Sequence, residues 1–472
     1  MCSVLLVLLF SIFFVSRLMP AMARKEQREI VSWSHHSGLL PRAISDMSST
    51  YTLAPNDEGD IGMAIYLLGG CVADYVTKKD SSAEYFCPEV SDATLAFDPK
   101  GNLFEERHRM PRSRYRHGVV AVEGKIWVFG GRDENDRVIN EVDVYDPSWD
   151  RWITVGSLSP DLARSDHALW AREGNVYLAG GYDSNYIALF TSVLIDVDAT
   201  LAAYGDFNGD GLMAKLVSHR LSDMKEARGD VHSLSYGKYG YLIGGFSHID
   251  GYCHPLKSVE VYDTQKDKWL HTNGLNVGRA DAALMKYKGK FYAFGGETRV
   301  DEINGVNCSG NVEANQKLPR RKTHPINSVE VYDPISEDPR WQIIQGTSLP
   351  DDRLRFVLAP WPETDAIYGF GGVTYSPSDG KSKQTIDGCS NCLRVSDVII
   401  EYVDGVEEYY ISDTPFRLVA AGVTSILVTG ALARAVWSSM RRRLDLKNRR
   451  QDNHDDGVHL NERAPYRDAE IL

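Results

Sequence analysis

Residues 110–131 read MPRSRYRHGVVAVEGKIWVFGG, and residues 139–152 read INEVDVYDPSWDRW. Apolar and polar side chains alternate over GVVAV, an Glu-Gly-Lys turn follows, and a more uniformly apolar run then ends in Gly130-Gly131. Alternation marks a half-buried strand, and a short β-branched run marks a buried one. EVDVYD supplies a third strand, Asp146-Pro147 a turn, and the stretch closing at Trp152 a fourth.

The glycine doublet traces this unit through the chain. AIYLLGG ends at Gly70, KIWVFGG at Gly131, NVYLAGG at Gly181, YGYLIGG at Gly245, KFYAFGG at Gly296 and AIYGFGG at Gly372. Successive second glycines lie 61, 50, 64, 51 and 76 residues apart, a period of about fifty that belongs to blade repeats. VEVYDTQKDKW ends at Trp269, VEVYDPISEDPRW ends at Trp341, and LAFDPKGNLF puts Phe104 where units two, four and five have Trp.

These units resemble kelch repeats over roughly residues 40–410. The resemblance implies an all-β fold, a six-bladed kelch β-propeller whose blades are four-stranded antiparallel sheets around a central channel. Glycine is required where backbones crowd, and the Tyr and Trp residues fill the wedges between blades. Two units depart from the pattern. Unit three has SVLID, lacks the Trp and runs through Tyr204-Gly205 into DFNGDG, and unit six has DVIIEYVDG and no Trp. Residues 30–60, where Leu40-Pro41-Arg42 resembles a repeat opening, are a candidate source for the strand that closes the ring.

With 472 residues, 43% hydrophobic and 25% charged, the chain can bury a large core. Its formal net charge is −13, and its basic residues form no stripe between repeats, which argues against a nucleic-acid partner. VLLVLLFSIFFV over residues 4–15, followed by Ala21-Met22-Ala23, has the form of a secretory signal ending at residue 23. The propeller is expected over residues 24–414. Residues 418–437, LVAAGVTSILVTGALARAVW, are long and apolar enough for a transmembrane helix, assigned to residues 415–437, and a basic cluster follows from Arg441. A charged tail, 438–472, completes a single-pass type I arrangement with the propeller extracellular or lumenal and the tail disordered in the cytoplasm. Ala421, Ser425, Thr429 and Ala433 form a small-residue stripe through which the helix could pair as a homodimer.

Counting back from each second glycine exposes two columns. Arg114, Arg164, Arg228 and Arg279 stand seventeen residues before it and Arg353 nineteen. This column is expected to pair with aspartates of neighbouring blades. Two positions on come Arg116, Asp166, Asp230, Asp281 and Arg355. In kelch domains that recruit proteins this second column starts the innermost strand and faces the channel mouth. The resemblance therefore makes these five the candidate ligand-binding residues. Their mixed sign favours a ligand with both charges or many hydroxyls over a purely acidic peptide. His117 and His167 are expected to lie between blades rather than to bind metal.

Asp206, Asn208 and Asp210 alternate before Gly211 in the manner of a Ca²⁺ loop. Ala214 and Val217 stand where further acidic ligands would be needed, so an Asx-rich turn is the preferred reading, and no other cofactor is expected. Besides Cys2 there are six cysteines, all in loops after glycine doublets. Of fifteen connectivities, Cys71–Cys87, Cys253–Cys308 and Cys389–Cys392 are expected. Asn307-Cys308-Ser309 is a glycosylation sequon. The function expected is a membrane-anchored, non-enzymatic recognition module for a protein or glycan at the channel mouth and loop face. The alternative is a carbohydrate-active enzyme, because similar kelch propellers serve sugar oxidases and an epimerase. The oxidase set of two Tyr, two His and a Cys does not align here.

Overall fold

A computed structural model describes residues 24–55, 61–73, 87–205, 216–299, 323–375 and 393–411. The chain divides into two compact units. One comprises residues 31–405; the other comprises residues 1–30 with 406–471, of which only the strand ends 24–30 and 406–411 are described. The stretches expected to be a signal, a transmembrane helix and a tail lie outside the described residues, as do Asp206, Asn208, Asp210, Asn307, Cys308, Cys389 and Cys392. Among the described residues no helix is long and apolar enough to cross a membrane.

The first unit contains six sheets of four antiparallel strands, the all-β six-bladed propeller expected. Blade one runs Ser48–Pro55, Ile61–Leu68, Thr94–Asp98 and Leu103–Glu106; blade two runs Gly118–Val122, Lys125–Phe129, Glu141–Asp146 and Arg151–Ser157. Blades four and five repeat this order from His232 to Thr272 and from Ala283 to Ser348. Blade three is the divergent unit: its third strand, Ser192–Asp196, leads into a helix, Val197–Gly205, and its outer strand Ser218–Arg220 has only three residues.

Blade six shows how the ring closes. Val357–Trp361, Ala366–Phe370 and Val398–Ile411 come from the last repeat, and the outermost position is filled by Arg24–Leu39. The missing Trp of unit six is thereby explained. Tyr145 meets Trp152 at 5.0 Å, Tyr262 meets Trp269 at 5.0 Å and Tyr332 meets Trp341 at 5.3 Å. In blade six the equivalent Tyr402 meets Trp33 at 5.3 Å, so the aromatic partner arrives from the other end of the chain.

Buried side chains segregate into clusters between successive blades. Trp127, Phe129 and Val144 of blade two pack with Val176, Leu178 and Ile195 of blade three, and Phe97 of blade one packs with Trp361 and Phe370 of blade six. The doublets sit where these wedges narrow. Gly244 and Gly245 have φ of 67° and 93°. A Cβ on Gly244 would run into the Arg279 carbonyl of blade five, and one on Gly245 would lie 2.5 Å from the Gly229 carbonyl. The space freed carries a hydrogen bond from Gly245 N to Arg279 O at 3.0 Å. The same bond links the other blades and closes the ring through Gly372 N to Ile44 O at 2.8 Å.

Candidate functional site

The first arginine column has a different role from the one its spacing suggests. Arg114, Arg164, Arg228, Arg279 and Arg353 are buried, and each donates to the carbonyl of the first glycine in its own blade's doublet. Their acidic partners are also local: Asp143 for Arg114, Glu260 for Arg228 at 3.1 Å and Glu330 for Arg279 at 2.8 Å, all on the third strand of the same blade. Arg164 instead binds Thr191 through its carbonyl at 2.9 Å and its hydroxyl at 3.0 Å. The expected pairing with neighbouring blades is therefore corrected. A guanidinium can reach a first-glycine carbonyl and a third-strand acid together, because both lie at one end of its own sheet.

The second column converges. Arg116, Asp166, Asp230, Asp281 and Arg355 all line one cavity of about 230 Å³, together with Asp46, which the glycine count missed. Asp46 precedes its second glycine by 24 residues because the first hairpin of blade one is longer. Its signal was local, since Ser45-Asp46 repeats Ser165-Asp166. Each residue stands two positions before an innermost strand rather than on it. All six adopt left-handed backbone, with φ of 51° at Asp46, 56° at Arg116, 54° at Asp166, 49° at Asp230, 50° at Asp281 and 55° at Arg355. That conformation is uncommon for residues other than glycine and costs about 1 kcal/mol or more each.

This conformation turns the peptide groups around the ring. Arg116 N donates to Asp46 O at 3.0 Å, Asp166 N to Arg116 O at 2.9 Å, Asp281 N to Asp230 O at 3.2 Å, Arg355 N to Asp281 O at 3.1 Å and Asp46 N to Arg355 O at 3.1 Å. At blade four, Val231 N donates to Asp166 O at 3.4 Å instead.

Charges are paired around the ring. Arg116 Nε lies 3.6 Å from both Asp46 Oδ1 and Asp166 Oδ1; Arg355 Nε lies 2.8 Å from Asp281 Oδ2 and 3.8 Å from Asp46 Oδ1. These side chains are at most 9% exposed, so they form the wall and floor of the channel. Burial pushes the Asp46 carboxyl up to about 6 despite Arg355 and Arg116. It also drives Asp230 well above the usual carboxylate range, helped by Asp281 and Asp166. Burial acts the same way on Asp281, but the charge and hydrogen bond of Arg355 outweigh it and hold that group low. Burial and the Asp281 charge likewise push Glu297 up to about 7.

The histidines lie between blades, as expected. His117 abuts Gly69 and His167 abuts Gly118 and Gly130 of the preceding blade. None of their ring nitrogens has a hydrogen-bond partner among the described residues. Desolvation, then the charge of Arg164, drops His167 to about 3. His117 is likewise held well below its ordinary value by burial and Arg114.

Next to the ring stands a group of tyrosines: Tyr182 and Tyr186 on the loop between the second and third strands of blade three, and Tyr115 just before the innermost strand of blade two. Tyr182 donates to Asp230 Oδ2 at 2.8 Å, and Tyr115 and Tyr186 share Asp136 Oδ1 at 2.8 Å and 2.6 Å. The Arg132 guanidinium lies 3.6 Å from the Tyr186 ring centre, a desolvated cation–π contact. Ile187 and Phe190 on the blade-three loop and Ile249 on its counterpart in blade four are exposed by 47%, 47% and 64%. Sequence reasoning missed this rim because loop residues carry no periodicity, although Tyr182 directly follows a doublet. Cys71 and Cys87 form the expected disulfide. Cys253 is disulfide-bonded too, to a partner outside the described residues.

A ring of repeat-derived charges inside a six-bladed disc defines a kelch-type propeller. The KLHDC2/KLHL20/DRC7 Kelch-repeats domain matches residues 60–296, half of the chain, and the protein belongs to the kelch-repeat family. It is 26% identical over 255 residues to Kelch domain-containing protein 3 of Rattus norvegicus, across 50% of this chain and 62% of that one. It is 34% identical over 214 residues to Alpha-scruin of Limulus polyphemus, across 45% and 22%. The chain thus spans less than two thirds of these relatives' length. The solved structure described as "Structure of YjhT" matches with a TM-score of 0.52 at 14% identity, over 77% of this chain and 96% of that one. That likeness is one of fold alone.

Proposed function

We propose that this chain is a membrane-anchored recognition module of the secretory pathway, which binds a protein ligand across the channel mouth and the loop face without catalysing a reaction on it. The observation that carries this reading is the exposure of Ile187, Phe190 and Ile249 on the loop face, next to tyrosines of which Tyr115 and Tyr182 are buried and Tyr182 bonds Asp230 of the charged ring. Exposed apolar groups beside aromatic and arginine residues are characteristic of protein-binding surfaces. The Cys71–Cys87 disulfide and the bonded Cys253 support an oxidising compartment. Membership of the kelch-repeat family agrees with a protein-interaction role.

The test is a screen of the full-length protein, in mild detergent, on cell-surface protein and glycan arrays beside an Ile187→Asp/Phe190→Asp/Ile249→Asp variant. A protein ligand that binds the parent and loses at least tenfold in affinity with the variant is expected. Binding unchanged in the variant, or turnover of a sugar by the parent, contradicts the reading.

A further inference from the structure

The channel ring carries four carboxylates and two guanidiniums, and the two guanidiniums are not evenly placed. Arg116 lies between Asp46 and Asp166, and Arg355 lies between Asp281 and Asp46. From Asp166 through Asp230 to Asp281 three carboxylates follow one another with no cation between them. Asp166 Oδ1 is engaged by Arg116 and Asp230 Oδ2 by Tyr182, while Asp281 is held by Arg355 through Oδ2 and by a hydrogen bond with Glu297. Asp166 Oδ2 and Asp230 Oδ1 are buried with no hydrogen-bond partner, and the Asp166 side chain is only 4% exposed. A buried carboxylate oxygen without a partner is costly unless a ligand supplies one.

Ligand-capable oxygens of Asp46, Asp166 and Asp281 all lie within 4.8 Å of one another. We propose that the Asp46, Asp166 and Asp281 carboxylates, with Asp230 beside them, bind one divalent hard cation of the Ca²⁺ or Mg²⁺ type at the floor of the channel. Three carboxylate oxygens from three blades fit within such an ion's shell, and the roughly 230 Å³ cavity has room for the waters that complete it. Once the ion has displaced the proton that burial holds on Asp230, its two positive charges match the two negative charges that the arginines leave uncompensated. His117, His167 and His232 line the same cavity, but an all-oxygen set selects hard cations over those that prefer imidazole. The site shares its ring with the proposed recognition surface, and it is tested with metal alone, so failure of either proposal leaves the other standing.

The experiment uses the full-length protein after EDTA treatment, titrated calorimetrically with CaCl₂, MgCl₂ and MnCl₂. Tb³⁺ emission excited through tyrosine provides a second readout, because Tyr182 contacts Asp230. One channel ion per chain is expected, competing with Tb³⁺, with at least a tenfold loss of affinity in Asp166→Asn and in Asp281→Asn. Asp230→Asn is the companion variant should either fail to fold by circular dichroism. An Asp206→Asn/Asp210→Asn variant should leave this ion in place. The proposal is overturned if the folded parent binds no divalent ion, if the ring variants bind as the parent does, or if only the Asp206→Asn/Asp210→Asn change removes binding. It is also overturned if arginine methyl ester saturates the ring while metals do not.

Discussion

At the residue scale, position in the repeat sets chemical character. Arg114 and Arg116 are two apart, yet the first is satisfied inside its own blade and the second faces the channel ring. The left-handed turn at residue 116 separates them. The columns could be read from spacing, but spacing cannot say which carbonyl a guanidinium meets, so the partners of the first column were misassigned. Asp46 was missed because a count from glycine fails where a hairpin lengthens. His167 offers a test at this scale. Its folded-state value of about 3 lies below the ordinary 6.5, so its contribution to stability is complete above pH 6.5 and is lost as pH falls towards 3. Between pH 7.5 and 5.5, denaturant unfolding of the parent should lose about 1.4 kcal/mol more than that of His167→Gln. Raised carboxyls such as Asp46 act in the opposite direction in both proteins and cancel in the difference. Equal losses would show that His167 is not held neutral by burial.

At the scale of elements, the four strands of a regular blade were legible because alternation, an Asp-Pro turn and a terminal Trp all agree with one another. Blades three and six were not, for separate reasons. In blade three the chain after Asp196 enters a helix, and only three outer-strand residues pair. In blade six the outer strand is separated from its neighbour by almost the whole chain, and no local pattern records so distant a pairing. Residues 30–60 did hold the closing element. They contain the end of the outer strand of blade six and the whole of the inner strand of blade one. Trp33, packed at 5.3 Å on both Phe294 and Tyr402, is the anchor of that closure. Trp33→Ala should cost about 3–5 kcal/mol in reversible unfolding, as large as Trp269→Ala within blade four. A cost within 0.5 kcal/mol of zero, roughly that of an exposed site, would mean that the first strand does not close the ring.

At the scale of the molecule, six repeats place their variable residues on one face and their constant residues between blades. Glycine doublets, buried arginines and aromatic wedges recur because each blade meets the same packing problem. The ring and the loop rim differ from blade to blade, and specificity can reside there without disturbing the disc. Sequence therefore showed the architecture and most of the channel ring, but not the rim, whose Tyr182, Tyr186, Ile187, Phe190 and Ile249 come together only through the closed geometry. Amide hydrogen exchange of the full-length protein, with and without the protein ligand recovered from the array screen, tests this account most directly. It predicts that protection on binding concentrates in residues 132–138, 182–190 and 246–256, with outer strands such as Arg151–Ser157 and Lys268–Thr272 unchanged; protection confined to those outer strands would contradict it.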